Sequence, residues 1–168
     1  AAASPAGRQL RVLNGIYLVR QRLGPKAAAR QAFVQLVDFG LEQQQLAMKF
    51  LFRPGSTALV SDSPLSRSYG EWLQIIAQRA TAKGACLEVT GHTSRSGPPA
   101  LNERLSLLRA EFVRQQLVAA SPALAARSLA AGMGSSQPLI GTGRDDASDA
   151  LDRRVVFGVI ACGGPGAS

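Results

Sequence analysis

The sequence predicts an α+β domain in which helices pack on one face of a mixed β-sheet, with a helical hairpin in front of it. Apolar residues recur every three or four positions through the N-terminal part of the chain, a period typical of amphipathic helices. The period changes to two at Leu46, as expected for a strand with one buried face. From there to Cys162 the patterns follow the order β-α-β-α-β-(short α)-β, which favours one sheet covered by helices.

Size and composition fit one core domain with a small appendage. The chain has 168 residues, of which 46% are hydrophobic, so a substantial core is available. No run approaches the length of a membrane-spanning helix. Residues 1–7 are expected to form a flexible lead-in, which also fits a chain trimmed behind a signal or lipid-anchor segment. Residues 163–168 are expected to form a flexible tail.

The chain is strongly basic. Its formal net charge is +8, and sixteen of its nineteen cationic residues are arginine, a side chain suited to bidentate capture of carboxylates and phosphates. The arginines are spread along the chain and the few aromatic residues do not interleave with them, so we expect no nucleic-acid partner. The charge leaves an anionic surface or an acidic polymer as candidate partners.

Residues 8–45 are predicted to form the helical hairpin. The first helix is expected to bury an apolar stripe that consists of Val12, Ile16, Val19 and Leu23. Gly24-Pro25 ends this helix and begins the second one. The apolar stripe of the second helix consists of Ala29, Phe33, Leu36 and Gly40. Two such helices cannot bury their faces alone, so they should pack on the following domain or on a partner.

Residues 46–162 are predicted to form the core domain. Its first strand buries the alternating side chains Leu46, Met48, Phe50 and Phe52. The next helix ends at Gly84 and has one apolar face, formed by Tyr69, Trp72, Leu73, Ile76, Ala77 and Ala80. A strand over residues 86–90 leads to a further helix, which is expected to bury Leu101, Leu105, Leu108 and Phe112. Residues 128–131 and 153–162 complete the sheet.

Two cysteines occur at strand ends: Cys86 begins the second strand and Cys162 closes the last one. In a cytosolic protein, two independent buried thiols would be the preferred interpretation. In an oxidising compartment, antiparallel pairing of these strands brings the two positions together, and a disulfide is predicted. Such a bond closes a loop of about 75 residues and stabilises the fold by up to roughly 4 kcal/mol.

The sequence does not favour an enzyme. His92 is the only histidine, and it lies two residues from Ser94 on an irregular turn. This neighbour relation does not provide the separately positioned base and nucleophile of a hydrolase. We therefore interpret His92 as a structural turn residue, and we expect neither a catalytic residue nor a cofactor.

No metal or phosphate site is expected. One histidine and two distant cysteines cannot build a closed zinc centre. The glycine-containing segments 132–134 and 141–143 are interpreted as turns, because they lack the Lys-Ser/Thr continuation of a phosphate loop. An acidic cluster lacks the spacing of a calcium loop and is interpreted as a solvated helix start. This cluster consists of Asp145, Asp146, Asp149 and Asp152.

Arg109 has two interpretations. It lies on the helix that follows Gly97, among apolar residues, where its aliphatic stem would simply cover apolar surface. In the other interpretation, its guanidinium points towards the turn of residues 91–97 and receives a carboxylate.

Residues 46–162 resemble the OmpA-like, or OmpA/MotB C-terminal, peptidoglycan-associated domain family. The resemblance rests on motifs that occur in the family's order and spacing, and the hairpin lies outside it. These motifs are Phe50-Leu51-Phe52 with Gly55-Ser56 and Leu59, Val89-Thr90-Gly91-His92-Thr93, Gly97, Asn102-Glu103-Arg104-Leu105-Ser106 with Arg109-Ala110, Gly132-Met133-Gly134 with Pro138, and Asp152-Arg153-Arg154-Val155.

The resemblance implies a non-enzymatic module that grips the diaminopimelate residue in the peptide stem of peptidoglycan. An aspartate after the His-Thr pair usually takes the ammonium group, and an arginine before alanine on the next helix takes the carboxylate. Arg109 matches that arginine, whereas Ser94 stands at the aspartate position. The exchange implies the loss of a charge-assisted bond worth roughly 1.5–3 kcal/mol. Thr93, Asn102 and Arg153 match the rest of the motif and are expected to shape the pocket.

Two functions follow as expectations. The first is a wall-binding module in the periplasm of a Gram-negative bacterium, attached to the outer membrane as a lipoprotein through a removed N-terminal segment. The second is an OmpA-fold module that has lost wall binding and docks a protein partner of an envelope or secretion assembly through the hairpin. Binding to purified peptidoglycan discriminates between them.

Overall fold

The structure, a computed structural model, describes residues 4–61, 66–144 and 147–163. Its elements are the helices α1 (Pro5–Leu23), α2 (Lys26–Glu42), α3 (Tyr69–Ala82) and α4 (Pro99–Ala120), and the strands β1 (Gln45–Leu51), β2 (Cys86–Gly91), β3 (Ser128–Gly132) and β4 (Arg154–Ile160). Short 3₁₀ helices cover Ser66–Ser68, Pro122–Ala125 and Ala147–Leu151. None of the helices within the described ranges has the length and apolarity needed to span a bilayer.

The four strands form one mixed sheet in the order β1-β4-β2-β3. β2 and β3 are parallel, while β4 runs antiparallel to both of its neighbours, β1 and β2. A parallel β2–β3 pair requires a crossover, and α4 supplies it. The predicted α+β class and element order are confirmed.

The predicted disulfide is present. Cys86 lies opposite Ile160 in the β2–β4 ladder, so Cys162 comes within reach just beyond the end of β4. The two Cα atoms are 5.3 Å apart and the sulfur atoms are bonded. The described cysteines therefore contain no free thiol.

The hairpin is present, and α1 begins earlier than predicted. Ser4 caps it by accepting a hydrogen bond from the Gly7 N–H, and Pro5 occupies its first turn. Residues 5–7 are therefore helical, and the remainder of the predicted lead-in, residues 1–3, lies outside the described residues. Of the predicted tail, residues 164–168 also lie outside them.

The apolar stripe predicted for α1 does not pack on the core domain. The stripe expected to be buried is exposed: Val12, Ile16, Val19 and Leu23. The helix instead buries Tyr17, with Leu10 and Leu13 packed beside the core. An aromatic ring buries more apolar area than a valine, and this burial decides which side of the helix faces inwards.

Tyr17 joins the hairpin to the core domain. Its ring centroid lies 5.2 Å from that of Phe33 and 5.8 Å from that of Trp72. Its hydroxyl accepts a hydrogen bond of 2.7 Å from Trp72 Nε1, so the Tyr17 hydroxyl and the Trp72 N–H each have a hydrogen-bond partner in the core. The hairpin and the sheet share one continuous hydrophobic core.

The face predicted for α4 is only partly buried: Phe112 packs against the core and Leu105 is half-buried. Leu101 and Leu108 are 58% and 43% exposed. The side chains that α4 buries are Asn102, Ser106, Arg109, Ala110, Val113 and Leu117. Three of these six are polar, because this part of the helix lies against loops whose backbone groups need hydrogen-bond partners. By contrast, the faces predicted for β1 and α3 are buried as expected.

Replacing both cysteines, in the variant Cys86→Ala/Cys162→Ala, should lower the free energy of unfolding by about 2–4 kcal/mol. The bond spans 76 positions, and its loss frees a long loop in the unfolded state. Urea denaturation measures the change. Adding a reductant should lower the free energy of unfolding of the wild type by the same amount and leave that of the variant unchanged. Equal urea midpoints for the wild type with and without reductant would show that the bond contributes nothing.

Tyr17→Ala should destabilise the protein by about 3–5 kcal/mol, because it removes a buried ring and leaves the Trp72 N–H unpaired. The adjacent Ile16→Ala is the matched control, since Ile16 lies on the exposed side of the same helix. Its effect should stay within about 1 kcal/mol. Equal losses for the two variants would contradict the observed orientation of α1.

Candidate functional site

The site lies where β2 and β3 end side by side beneath the N-terminal half of α4. Gly91 and Gly132 are paired across the two strands. A Cβ atom at Gly91 would collide with the carbonyl of Ser106, and one at Gly132 would lie 2.6 Å from the Leu107 nitrogen. Only glycine at these two positions lets the helix backbone rest directly on the strand ends.

Ser106 fixes this close contact. Its hydroxyl donates to the carbonyl of Glu103 (2.7 Å) and accepts from the N–H of Gly134 (2.9 Å). Gly134 has a φ of +52°, and its carbonyl in turn accepts from the N–H of Thr93. A small buried serine thus connects α4 to the loop after β3, and through it to the turn after β2. In the sequence, Ser106 stands out only as part of a motif.

The turn of residues 92–97 is held by backbone and amide hydrogen bonds. The N–H of His92 donates to the carbonyl of Arg154 (2.8 Å). The side-chain amide of Asn102 donates to the carbonyls of Ser94 and Gly97, both at 3.4 Å. Gly97 takes a φ of +86°, which favours glycine. Asn102 therefore shapes the turn from within α4.

Arg109 lies beneath this turn and is fully buried. Its guanidinium donates to three backbone carbonyls, those of Arg53, Ser56 and His92, at 2.9, 2.9 and 3.2 Å. Its central carbon lies 5.2 Å from the centre of the Phe52 ring, within cation–π range. The guanidinium does point at the turn, and it also ties the turn to the loop after β1.

Ser94 is 4% exposed. Its hydroxyl oxygen lies 3.1 Å from that of Ser96, and the two hydroxyl groups form a hydrogen bond in which either can be the donor. Thr93, also buried, precedes it. The structure thus brings Thr93, Ser94, Asn102 and Arg109 around a single turn.

Arg153 is hydrogen-bonded to the backbone of Phe52. Its Nε donates to the Phe52 carbonyl at 3.4 Å, and its own carbonyl accepts from the Phe52 N–H. Arg109 contacts the ring of the same phenylalanine. Phe52 therefore contacts both arginines, Arg153 through its backbone and Arg109 through its ring.

Arg154 and Asp152 support the site, and sequence reasoning assigned no role to Arg154. Arg154 Nη2 donates to the Gln137 carbonyl at 3.1 Å. The carboxylate of Asp152 accepts from the backbone N–H groups of Leu139, Ile140 and Gly141. Burial alone would raise the pKa of Asp152, but these donors outweigh it and the pKa lies below its ordinary value.

The interpretation of the acidic cluster as a solvated helix start was wrong for its two described members. Asp149 and Asp152 are both fully buried. Asp149 accepts from the N–H and the hydroxyl of Thr142. Asp145 and Asp146 lie outside the described residues. The two buried carboxylates fix the loop after β3, whose glycines Gly141 and Gly143 have positive φ, in line with the turn prediction.

His92 is buried and neutral at physiological pH. Burial is the main cause that lowers the pKa of His92 to about 4, and the positive charge of Arg154 is the second. Its Nδ1 has no hydrogen-bond partner. In the described part of the chain, three buried side-chain polar atoms lack a partner, and all three belong to this turn and to Arg154 behind it: His92 Nδ1, Thr93 Oγ1 and Arg154 Nη1.

The described residues hold no group of three or more His, Cys, Asp or Glu side chains that could bind a metal ion. The chemistry available at the turn is that of hydrogen bonding and charge. It consists of buried guanidinium groups, hydroxyl groups and backbone N–H groups near the start of a helix.

His92 should make stability fall in mild acid. Its pKa is about 4 in the folded state and 6.5 otherwise, so only the unfolded chain gains a proton between these values. The contribution is complete above pH 6.5 and is lost as the pH falls towards 4, by about 3 kcal/mol in total. Asp152 acts in a separate window, because its contribution is lost only below its ordinary value of 3.8.

Proton NMR of the only imidazole in the chain measures this directly. The native signal should keep the shift of the neutral ring down to about pH 5. In His92→Gln, urea midpoints should lose most of their pH dependence between pH 6.5 and 4. A native titration midpoint near 6.5 would mean that the imidazole is exposed to solvent.

Comparison with known proteins adds a family and a fold. Outer membrane porin F of Pseudomonas fluorescens is 37% identical over 94 residues, which cover 56% of this chain but only 28% of that protein. The peptidoglycan-associated lipoprotein of Burkholderia pseudomallei superposes with a TM-score of 0.58 at 27% identity, over 68% of this chain and 92% of that one. The cell wall anchor of the T6SS from Pseudomonas aeruginosa gives a TM-score of 0.51 at 27% identity, over 66% and 75% of the two chains.

The C-terminal domain of Helicobacter pylori MotB shares the fold, with a TM-score of 0.52 at 19% identity over 68% of this chain and 84% of that one. The family model for the OmpA family matches residues 51–150, which include the strand-end glycines, the turn and all of α4. This match covers more than half of the chain, and the protein belongs to the OmpA family.

Proposed function

We propose that this protein is a non-enzymatic module that associates with peptidoglycan on the periplasmic side of a Gram-negative envelope. Two relatives at 27% identity support the assignment, since one is named as peptidoglycan-associated and the other as a cell wall anchor. The ligand we propose is the peptide stem, gripped at its diaminopimelate residue by the turn of residues 92–97. This residue carries both an ammonium and a carboxylate group.

The observation that carries the proposal is the gathering of unpaired buried polar atoms at one place. Native proteins pair almost all such atoms, so each exception calls for a partner such as a water, an ion or a ligand. Here His92 Nδ1, Thr93 Oγ1 and Arg154 Nη1 are unpaired. Leaving a polar atom unpaired costs roughly 1–3 kcal/mol, so a ligand that reached even one of them would recover part of that free energy on binding.

Arg109 is proposed to supply the positive charge for the ligand carboxylate. Its side chain has no exposed surface in the free protein, and the loop of residues 53–56 covers it. A carboxylate therefore reaches it only if this loop moves. The cost of that movement lowers the net affinity.

Ser94 is proposed to accept from the ligand ammonium in place of a carboxylate. A serine hydroxyl makes a neutral hydrogen bond, whereas an aspartate at this position would make a charge-assisted one. The difference of roughly 1.5–3 kcal/mol corresponds to about 10-fold to 100-fold in affinity. Weak binding of peptidoglycan is the result we expect for the wild type.

Ser94→Asp should therefore strengthen binding by about 10-fold to 100-fold, because it adds a carboxylate where the ammonium is proposed to lie. Calorimetry with free diaminopimelate and co-sedimentation with purified peptidoglycan measure the change. This variant is preferable to one at Arg109, whose removal would disturb three hydrogen bonds of the fold.

Ser96→Asp is the matched control. It adds the same charge to the same turn two residues away, on a side chain that contacts Ser94. If the gain is specific, Ser96→Asp should leave the affinity within about threefold of the wild type. Equal gains in affinity for both variants would show that an added carboxylate attracts the ligand ammonium from anywhere in the turn, and that position 94 has no specific role. No binding by either the wild type or Ser94→Asp would overturn the proposed function.

A further inference from the structure

The outer face of α1 carries an apolar stripe that nothing in the described part of the chain covers. Val12 is 60% exposed, Ile16 39%, Val19 58% and Leu23 85%. These positions follow the spacing i, i+4, i+7 and i+11, so they form one continuous line along the helix. Tyr17, on the other side of α1, is buried in the core. The stripe can therefore contact another surface without any change in the fold.

The net charge of the chain is concentrated in its N-terminal part, which includes α1. The first acidic residue is Asp38. Every charged residue before it is cationic, and there are six: Arg8, Arg11, Arg20, Arg22, Lys26 and Arg30. Six of the eight units of formal net charge thus arise before Asp38, and four of them lie on α1.

The arginines of α1 flank the stripe on both edges. At about 100° per residue, Arg11 and Arg22 project from one edge of the stripe and Arg20 from the other. All three are exposed, and within the described ranges no carboxylate forms an ion pair with them. The nearby Arg30, on α2, is instead paired with Glu71 at 2.9 Å.

We propose that α1 lies flat on an anionic phospholipid surface, with its apolar stripe in the acyl boundary and its arginines on the phosphates. An apolar line with cationic side chains along both edges is the arrangement that an interfacial helix requires. The aliphatic stems of Arg11, Arg20 and Arg22 cover apolar surface, while their guanidinium groups reach the headgroups. Each such arginine adds binding free energy at an anionic surface.

Charge argues against a second copy of the chain as the occupant. Two copies of α1 packed face to face would bring arginine against arginine along both edges of the stripe, with no acidic residue on the helix to compensate. A protein partner would need an acidic rim that matches both edges. An anionic bilayer supplies that charge everywhere, and it needs no specific register.

Flotation of the whole chain with vesicles tests the proposal. The protein should float with phosphatidylcholine vesicles that contain phosphatidylglycerol and should remain unbound with phosphatidylcholine alone. Raising the salt from about 0.1 M to about 1 M shortens the screening length from about 10 Å to about 3 Å and should release most of the protein. This assay contains no peptidoglycan, so its outcome is independent of the proposed wall binding.

Two variants separate charge from apolar contact. Arg11→Gln/Arg20→Gln/Arg22→Gln should reduce partitioning by roughly 100-fold. Its control, Arg104→Gln/Arg127→Gln/Arg144→Gln, makes the same change of net charge at exposed positions elsewhere and should lose no more than about threefold.

The apolar contact is tested at constant charge. Val12→Ser/Val19→Ser should reduce partitioning at least roughly tenfold, because two valines leave the acyl boundary. Leu129→Ser/Leu139→Ser removes two exposed leucines away from α1 and should change little. Matching melting temperatures confirm that each variant is folded.

Three outcomes would overturn the proposal. The first is no flotation with anionic vesicles at low salt. The second is equal loss for the α1 variants and their controls. The third is a wild type that sediments as a dimer, or binds one protein partner, through Val12 and Val19 and so leaves no stripe for lipid.

Discussion

The contact between α4 and the ends of β2 and β3 is the constraint on which the rest of the structure depends. Gly91 and Gly132 allow the helix backbone to touch the strands, and the Ser106 hydroxyl links the helix to the loop after β3 by accepting from the N–H of Gly134. Because the helix lies so close, its polar residues Asn102 and Arg109 reach the backbone of the loops above the sheet. The turn after β2 thereby acquires a defined shape without secondary structure of its own.

Arg109 connects α4 to the loop after β1 and to the turn after β2. One guanidinium bonds to carbonyls in the loop after β1 and in the turn after β2, while its own backbone belongs to α4. A buried cation is costly unless its N–H groups are satisfied, and the three carbonyls meet most of that requirement. Arg109 thus points its guanidinium at the turn, as one of its two interpretations expected, and in the free protein this guanidinium binds backbone carbonyls.

Hydrophobic periodicity could predict the order of elements and the buried faces of β1 and α3, because in those elements the buried side chains are apolar. It failed for α4, where Asn102, Ser106 and Arg109 are buried and Leu101 and Leu108 are not. A pattern of apolar residues carries no signal for a helix face that is buried by hydrogen bonding. The paired glycines were the available signal, since two glycines at parallel strand ends imply a backbone in close contact.

On α1 the failure had a different cause. The helix has an apolar side at Tyr17 and an apolar stripe through Val12 and Val19, and spacing alone does not rank them. The ranking depends on a distant partner, Trp72, to which Tyr17 bonds. Asp149 and Asp152 illustrate the same limit, because their burial depends on N–H groups of a loop that the linear sequence does not assign to them.

The Cys86–Cys162 bond has a mechanical consequence. A force applied between the N-terminal helices and the turn after β2 would enter the sheet at β1 and leave it at the end of β2. β4 lies between β1 and β2, so the part of this force that the sheet carries crosses the β4–β2 ladder. The disulfide joins the end of β4 to the start of β2 covalently. The crosslink therefore limits how far these two strands can shear past each other under load.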